Sequence, residues 1–220
     1  MIIFRDRFDA GEQLASKLLH LRGERPVVLA LPRGGVPVAE RVARMLGAPL
    51  DVLVSAKLGA PGQPELGFGA VAEGEAVYVD PDSVRLLALP IHEVEVEVAR
   101  AHAKVLRRVQ RYRGTRPLPD LEGRTVILVD DGVATGGTAH AAIRAVREQA
   151  PGRLVFAAPV ISASTARELS EEVDELVCVE KPQNLWAIGA WYEDFRQLSD
   201  AEVLEPLRRS SGSEVEPAPI

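Results

Sequence analysis

The sequence predicts an α/β protein built on a doubly wound, mostly parallel sheet. Short apolar, β-branched runs recur along the chain as candidate buried strands, and stretches of helical periodicity separate them. One of those runs, Val126 to Val129, ends in two acids and a glycine- and threonine-rich turn that leads into a further helical pattern.

The elements follow in order. An amphipathic stretch from Asp9 to Leu21, with Asp9 as candidate N-cap, precedes the apolar run Pro26 to Leu31. After Arg33-Gly34-Gly35, Val36 to Leu46 has helical spacing, and Pro49 to Ser55 returns to a strand pattern, which completes a βαβ unit. Gly59 to Gly74 carries Pro61, Pro64 and several glycines, too many breakers for a regular element, and is expected to be a mobile functional loop over about 57–75. Ile91 to Arg113 gains Ala, Leu and Arg at helical spacing and runs from an acidic start to a basic end, as the helix dipole favours, so one long helix is expected. Val126 to Val129, Leu154 to Val160 and Leu176 to Val179 are further buried strands, with helical patterns at His140 to Gln149 and Ser164 to Glu171. Residues 210–220, rich in Ser, Glu and Pro, form an expected loose tail.

Composition narrows the function. The 220 residues, 46% hydrophobic and 26% charged, suit one domain or one domain with a small appendage. No run approaches the ~18 apolar residues of a membrane helix. The opening Met1-Ile2-Ile3-Phe4-Arg5-Asp6 lacks the succession of a secretory signal, so a soluble, cytoplasmic protein with no membrane partner is expected. The single Cys178 excludes an internal disulfide framework and, with four His, argues against a Cys/His zinc site. A formal charge of −6 leaves no electrostatic footprint for nucleic-acid binding.

The segment Asp130-Asp131-Gly132-Val133-Ala134-Thr135-Gly136-Gly137-Thr138 carries the chemistry. A strand that delivers a glycine-rich turn into a helix N-terminus is an anion site, since free backbone N–H groups and the helix dipole favour a phosphate. Thr135 and Thr138 can add hydroxyl donors, and Gly136 and Gly137 allow close approach. A phosphate alone does not need two adjacent acids. Asp130 and Asp131 suit ribose hydroxyls, which donate to carboxylates, or metal-bound waters.

This segment resembles the phosphoribosyl-pyrophosphate (PRPP) motif of type I phosphoribosyltransferases. No Lys follows Gly137, unlike a Walker loop, and the dinucleotide pattern of glycines is absent. The resemblance implies a phosphoribosyltransferase core over 1–180, with Arg33 and the backbone of Gly34 and Gly35 as pyrophosphate contacts and a cis peptide at Pro32–Arg33. It implies that Lys57 opens a catalytic loop that closes over PRPP, with a surface lysine as the alternative. It also implies a small hood over 181–209. There Lys181-Pro182-Gln183-Asn184-Leu185-Trp186-Ala187-Ile188-Gly189 resembles the hood segment of hypoxanthine-guanine phosphoribosyltransferases, with Trp186 stacking on the base and Lys181 reading its exocyclic oxygen. Core filler and a solvated charge are the alternatives for Trp186 and Lys181, and Trp191 and Phe195 are competing aromatics.

Two features depart from that pattern. The hypoxanthine-guanine enzymes carry an acid where this chain has Ala134, so the turn looks more like that of adenine phosphoribosyltransferases. Glu65 or Glu73 could substitute, with solvated loop acids as the alternative. The long helix exceeds what a minimal enzyme of the family requires, and could cover the site or mediate self-association as a homo-oligomer. The activity implied is displacement of pyrophosphate from PRPP by a nucleobase, a purine for preference, with Mg2+ held mainly by substrate oxygens and water. The alternative is a PRPP-sensing regulator of the same fold that binds without catalysis.

Overall fold

In the structure, a computed structural model, residues 3–211 are described. The elements are α1 (Arg7–Lys17), β1 (Val27–Ala30), α2 (Gly35–Leu46), β2 (Leu50–Val52), β3 (Ser55–Ala60), β4 (Gln63–Ala72), β5 (Val77–Val79), α3 (Pro81–Leu86), α4 (Ile91–Arg113), β6 (Thr125–Val129), α5 (Gly137–Arg147), β7 (Arg153–Val160), α6 (Ala163–Ser170), β8 (Glu175–Glu180) and α7 (Asp200–Ser211).

The central sheet runs β2-β1-β6-β7-β8 and every pairing in it is parallel. β1, β6 and β7 are buried on both faces, which is why they read as continuous apolar runs, while β8 at the sheet edge is half-buried except at Val177. Val28, Ala30, Ile127, Val129, Val155 and Ala157 face a core shared with α1, α2 and α4, while Val27, Leu29, Leu128, Leu154, Phe156 and Ala158 face α5 and α6. The chain leaves β1 toward β2 on one side and β6 toward β7 on the other. Between β1 and β6 the strand order reverses, so the turns after these two strands lie side by side. Open α/β sheets bind ligands at such a reversal.

The segment expected to lack regular structure instead folds as a β-hairpin. β3 and β4 pair antiparallel around Pro61 and Gly62, and β5 adds a third strand. Its glycines serve the pairing rather than break it. Gly62 takes the turn at φ +74°, and a Cβ on Gly69 would stand 2.1 Å from the Tyr78 carbonyl oxygen. Leu58, Phe68 and Val71 pack toward α4, and Ala70, Ala72 and Ala76 toward α5, so the inner half of the hairpin is held between two helices. The outer half, from Gln63 to Gly67, is exposed.

Two ends also differ from expectation. Asp6, not Asp9, caps α1, its Oδ1 accepting from the amides of Phe8 and Asp9 at 2.8 Å each. Ser210 belongs to α7 and its hydroxyl accepts from the Leu50 amide at 2.9 Å, so the expected loose tail is tied at its start. Residues 212–220 lie outside the described residues. Among the described residues no helix is long and apolar enough to cross a membrane.

Candidate active site

The two turns at the sheet reversal touch. The Leu31 amide donates to the Val129 carbonyl at 2.8 Å, and a Cβ on Gly34 would fall 1.9 Å from Asp131 Oδ2. Only glycine at 34 lets the turn after β1 close on the acid after β6. The Pro32–Arg33 peptide within that turn is cis.

Beyond β6, Val133 donates to the Val160 carbonyl at 2.9 Å, and the Ala134 carbonyl accepts from the hydroxyls of Ser162 and Thr165 at 2.9 and 2.6 Å. The turn is thus braced from below by the first turn of α6. Gly136, at φ +77°, carries the chain into α5. The first amides of a helix have no partner within it, so Gly137, Thr138 and Ala139 present N–H groups at the helix's positive end. Thr135 is exposed, and Gly137 and Thr138 are half-buried.

The adjacent acids are not equivalent. Asp131 is buried, and its Oδ2 accepts from Arg7 Nε at 2.7 Å. The same guanidinium donates to the Arg196 carbonyl at 3.0 Å and lies 3.9 Å over the Phe195 ring, while Tyr192 donates to the Asp131 carbonyl at 2.6 Å. Asp130 is half-buried and its Oδ1 accepts from the Asp131 amide at 2.8 Å. Loss of hydration, and then the neighbouring Asp131 charge, push the Asp130 carboxyl well above its ordinary range. Burial, with the Asp131 charge second, likewise raises the Tyr192 hydroxyl and keeps it protonated. Of the pair, Asp130 is the acid available to a ligand.

Arg33 is half-buried where α4 and α7 meet. There Tyr112 donates to Asp200 at 2.7 Å and Arg111 pairs with Asp200 at 2.7 Å. Burial and then this bond raise the Tyr112 hydroxyl to about 12, and the Arg33 charge bears on both partners. Lys57 lies on β3 with its ammonium bonded to the Glu65 carbonyl across the hairpin, in a cleft against α4. Trp186 is 95% exposed, which excludes core filling, and Lys181 is exposed. Ile188 approaches Gly132 so closely that a Cβ there would meet its Cγ2 at 2.4 Å, so the segment bearing Trp186 borders the phosphate-type turn. Of the two substitute acids, Glu65 is exposed. Glu73 is committed elsewhere: it pairs with Arg113 in the interior and accepts from the Val54 amide at 2.7 Å, which fixes the base of the hairpin.

Sequence reasoning misses Arg7 and Tyr192. Arg7 carries no local signature, since its partner is 124 residues away. Tyr192 follows directly on Trp191 at the end of the hood segment, where the tryptophans are the more conspicuous aromatic candidates.

Comparison with known proteins shows the family. The phosphoribosyl transferase domain model matches residues 4–194, and the chain belongs to that family. It is 43% identical over 210 residues to "Putative phosphoribosyl transferase Rv0571c" of Mycobacterium tuberculosis (strain ATCC 25618 / H37Rv), a match covering 96% of this chain and 47% of the relative. The chain therefore spans about half the length of that curated relative. The crystal structure of TT1426 from Thermus thermophilus superposes with a TM-score of 0.78 at 44% identity, covering 94% of this chain and 99% of that one. A ribose-phosphate pyrophosphokinase of Methanopyrus kandleri is 36% identical over 143 residues, covering 56% of this chain and 49% of its own.

Proposed function

We propose that the protein transfers the phosphoribosyl group of PRPP to a nucleobase, a purine for preference, and releases diphosphate. The observation that carries this reading is the pairing of an acid with an open carboxylate, Asp130, and an amide-lined turn at a helix N-terminus, both at the strand reversal of a doubly wound sheet. The turn from Thr135 to Thr138 takes the 5-phosphate, and Asp130 accepts from the ribose hydroxyls. Asp131, fixed by Arg7, positions the neighbouring backbone. Arg33 with the backbone of Gly34 and Gly35 receives the diphosphate.

In the reaction the C1–O bond breaks and its electron pair leaves with the diphosphate. A ring nitrogen of the base forms the C1–N bond and its proton passes to solvent. The chain contributes orientation of the sugar and stabilisation of charge on the leaving group. Among the described residues no three His, Cys, Asp or Glu side chains stand together as a metal site. The donor set suits Mg2+ held through PRPP oxygens and water, with Asp130 the carboxylate in reach; when bound, the ion neutralises diphosphate charge. Trp186 offers the exposed aromatic face for the base, Lys181 a donor for its exocyclic oxygen, and closure of the hairpin tip with Lys57 excludes water.

The test is incubation with Mg2+, PRPP and a panel of purines and pyrimidines while diphosphate is followed. Base-dependent release supports transfer. PRPP binding without release for any base points instead to a sensor of the same fold.

A further inference from the structure

The long helix α4 has no part in the transfer chemistry assigned so far. Along one line of it stand Glu97, Arg100, Lys104, Arg108 and Arg111, at the three- and four-residue spacings that share a helix edge. This edge borders a cleft of about 590 Å³ against the hairpin, whose lining includes Lys57, Glu65, Glu97, Arg100 and Lys104. Toward its other end the row shares an electrostatic neighbourhood with Arg33, since the charges of Arg33 and Arg108 both bear on Tyr112 and Asp200, which are hydrogen-bonded at 2.7 Å.

The row is only partly neutralised. Arg100 pairs with Glu97 and Arg111 with Asp200. Among the described residues neither Lys104 nor Arg108 has an ion pair; Arg108 donates only to the Ser55 carbonyl, at 3.5 Å. Lys104 is exposed, and its partial loss of hydration, followed by the charges of Arg108 and Arg107, lowers the ammonium. Like charges one helical turn apart destabilise a helix, and this chain is acidic overall, with a formal charge of −6. A multiply charged anion in the cleft would relieve that repulsion.

We infer that Lys104 and Arg108 hold the diphosphate group of PRPP together with Arg33, so that α4 supplies part of the leaving-group site. This rests on the phosphoribosyl-transfer reading. As the C1–O bond breaks, negative charge gathers on the diphosphate, and cations already fixed along the cleft stabilise it without reorganising.

The test titrates inorganic diphosphate with Mg2+ and, separately, ribose 5-phosphate into the wild-type protein and a Lys104→Met, Arg108→Met double variant. Methionine keeps the apolar stems packed, and an unchanged melting temperature checks the fold. Diphosphate affinity is expected to fall at least 10-fold, with a smaller dependence on salt, and ribose 5-phosphate affinity to stay the same. Arg108→Lys, which keeps the charge, should recover part of the loss. Arg107→Gln, exposed beside the row, should leave diphosphate affinity unchanged. Wild-type diphosphate affinity in the double variant, or an equal loss in Arg107→Gln, would overturn the inference while leaving transfer intact. A wild-type protein that binds neither ligand would overturn the transfer reading and this inference with it.

Discussion

Arg7 and Asp131, 124 residues apart in the chain, meet in a buried ion pair at 2.7 Å, and this pair separates the roles of the two adjacent acids. Arg7 also carries the Phe195 ring and bonds the Arg196 carbonyl, so the start of α1, the turn after β6 and the segment before α7 are joined at one guanidinium. Asp131 is held by the fold, whereas Asp130 has no such ion pair among the described residues and is the acid proposed to meet the ribose.

Asp131→Asn should therefore destabilise the protein, because it leaves the buried Arg7 without its anion, a loss of about 3–5 kcal/mol. Asp130→Asn should leave the melting temperature unchanged or raise it, since it removes a charge that burial and Asp131 both oppose. Thermal denaturation of the two variants at neutral pH compares them. Equal losses in both would show that the acids share one role.

Activity should fall on the acid side at a pH above the ordinary aspartate value of 3.8, because a raised carboxyl takes up its proton earlier as pH drops and then loses the charge that makes it a strong acceptor for a ribose hydroxyl. The same shift means that folding binds a proton at Asp130, so its contribution to stability declines as pH rises through that window. A pH profile of kcat/KM, repeated on Asp130→Asn, reads this. The acid limb should be missing from the variant's residual activity.

Gly34→Ala should impair both fold and PRPP binding, because the new Cβ would coincide with the Asp131 carboxylate, whose position Arg7 fixes. Overpacking of this kind costs about 1–3 kcal/mol. Gly23→Ala, where a Cβ would meet nothing within 4 Å, is the control and should retain wild-type melting and binding.

Trp186→Ala should weaken base binding by about 10-fold, within the ~1–3 kcal/mol of a stacking contact. Stability and PRPP affinity should not move, because the side chain is 95% exposed. Calorimetric titration of base onto the PRPP-loaded protein measures the first, and loss of PRPP affinity with intact base affinity would contradict the assignment.

How legible the molecule is depends on whether the signal is local. The buried parallel strands and α4 can be read because each carries its own pattern, an apolar run in one case and helical spacing with an acid-to-base gradient in the other. The hairpin cannot, since Gly59 and Gly69 read as breakers until the neighbouring strand shows that no Cβ fits there. α7 goes unread within the expected hood segment, although Ser199 and Glu202, where each side chain meets the other's amide at 3.4 and 2.9 Å, form a capping box at its start. The phosphate-type turn stands out as a motif, but the division of labour between its acids depends on Arg7, which no spacing ties to it. Glu73 looks like a loop acid only because its partner Arg113 lies 40 residues on.

Single-turnover transfer from PRPP to the best base of the panel, measured for the wild-type protein and Asp130→Asn under Mg2+, tests the placement of the sugar most directly. Loss of one charge-assisted acceptor for a hydroxyl costs ~1.5–3 kcal/mol, so transfer should drop at least ~10-fold in the variant while its fold is kept. A folded Asp130→Asn protein that binds PRPP and transfers as the wild type does would contradict that placement, and with it the site.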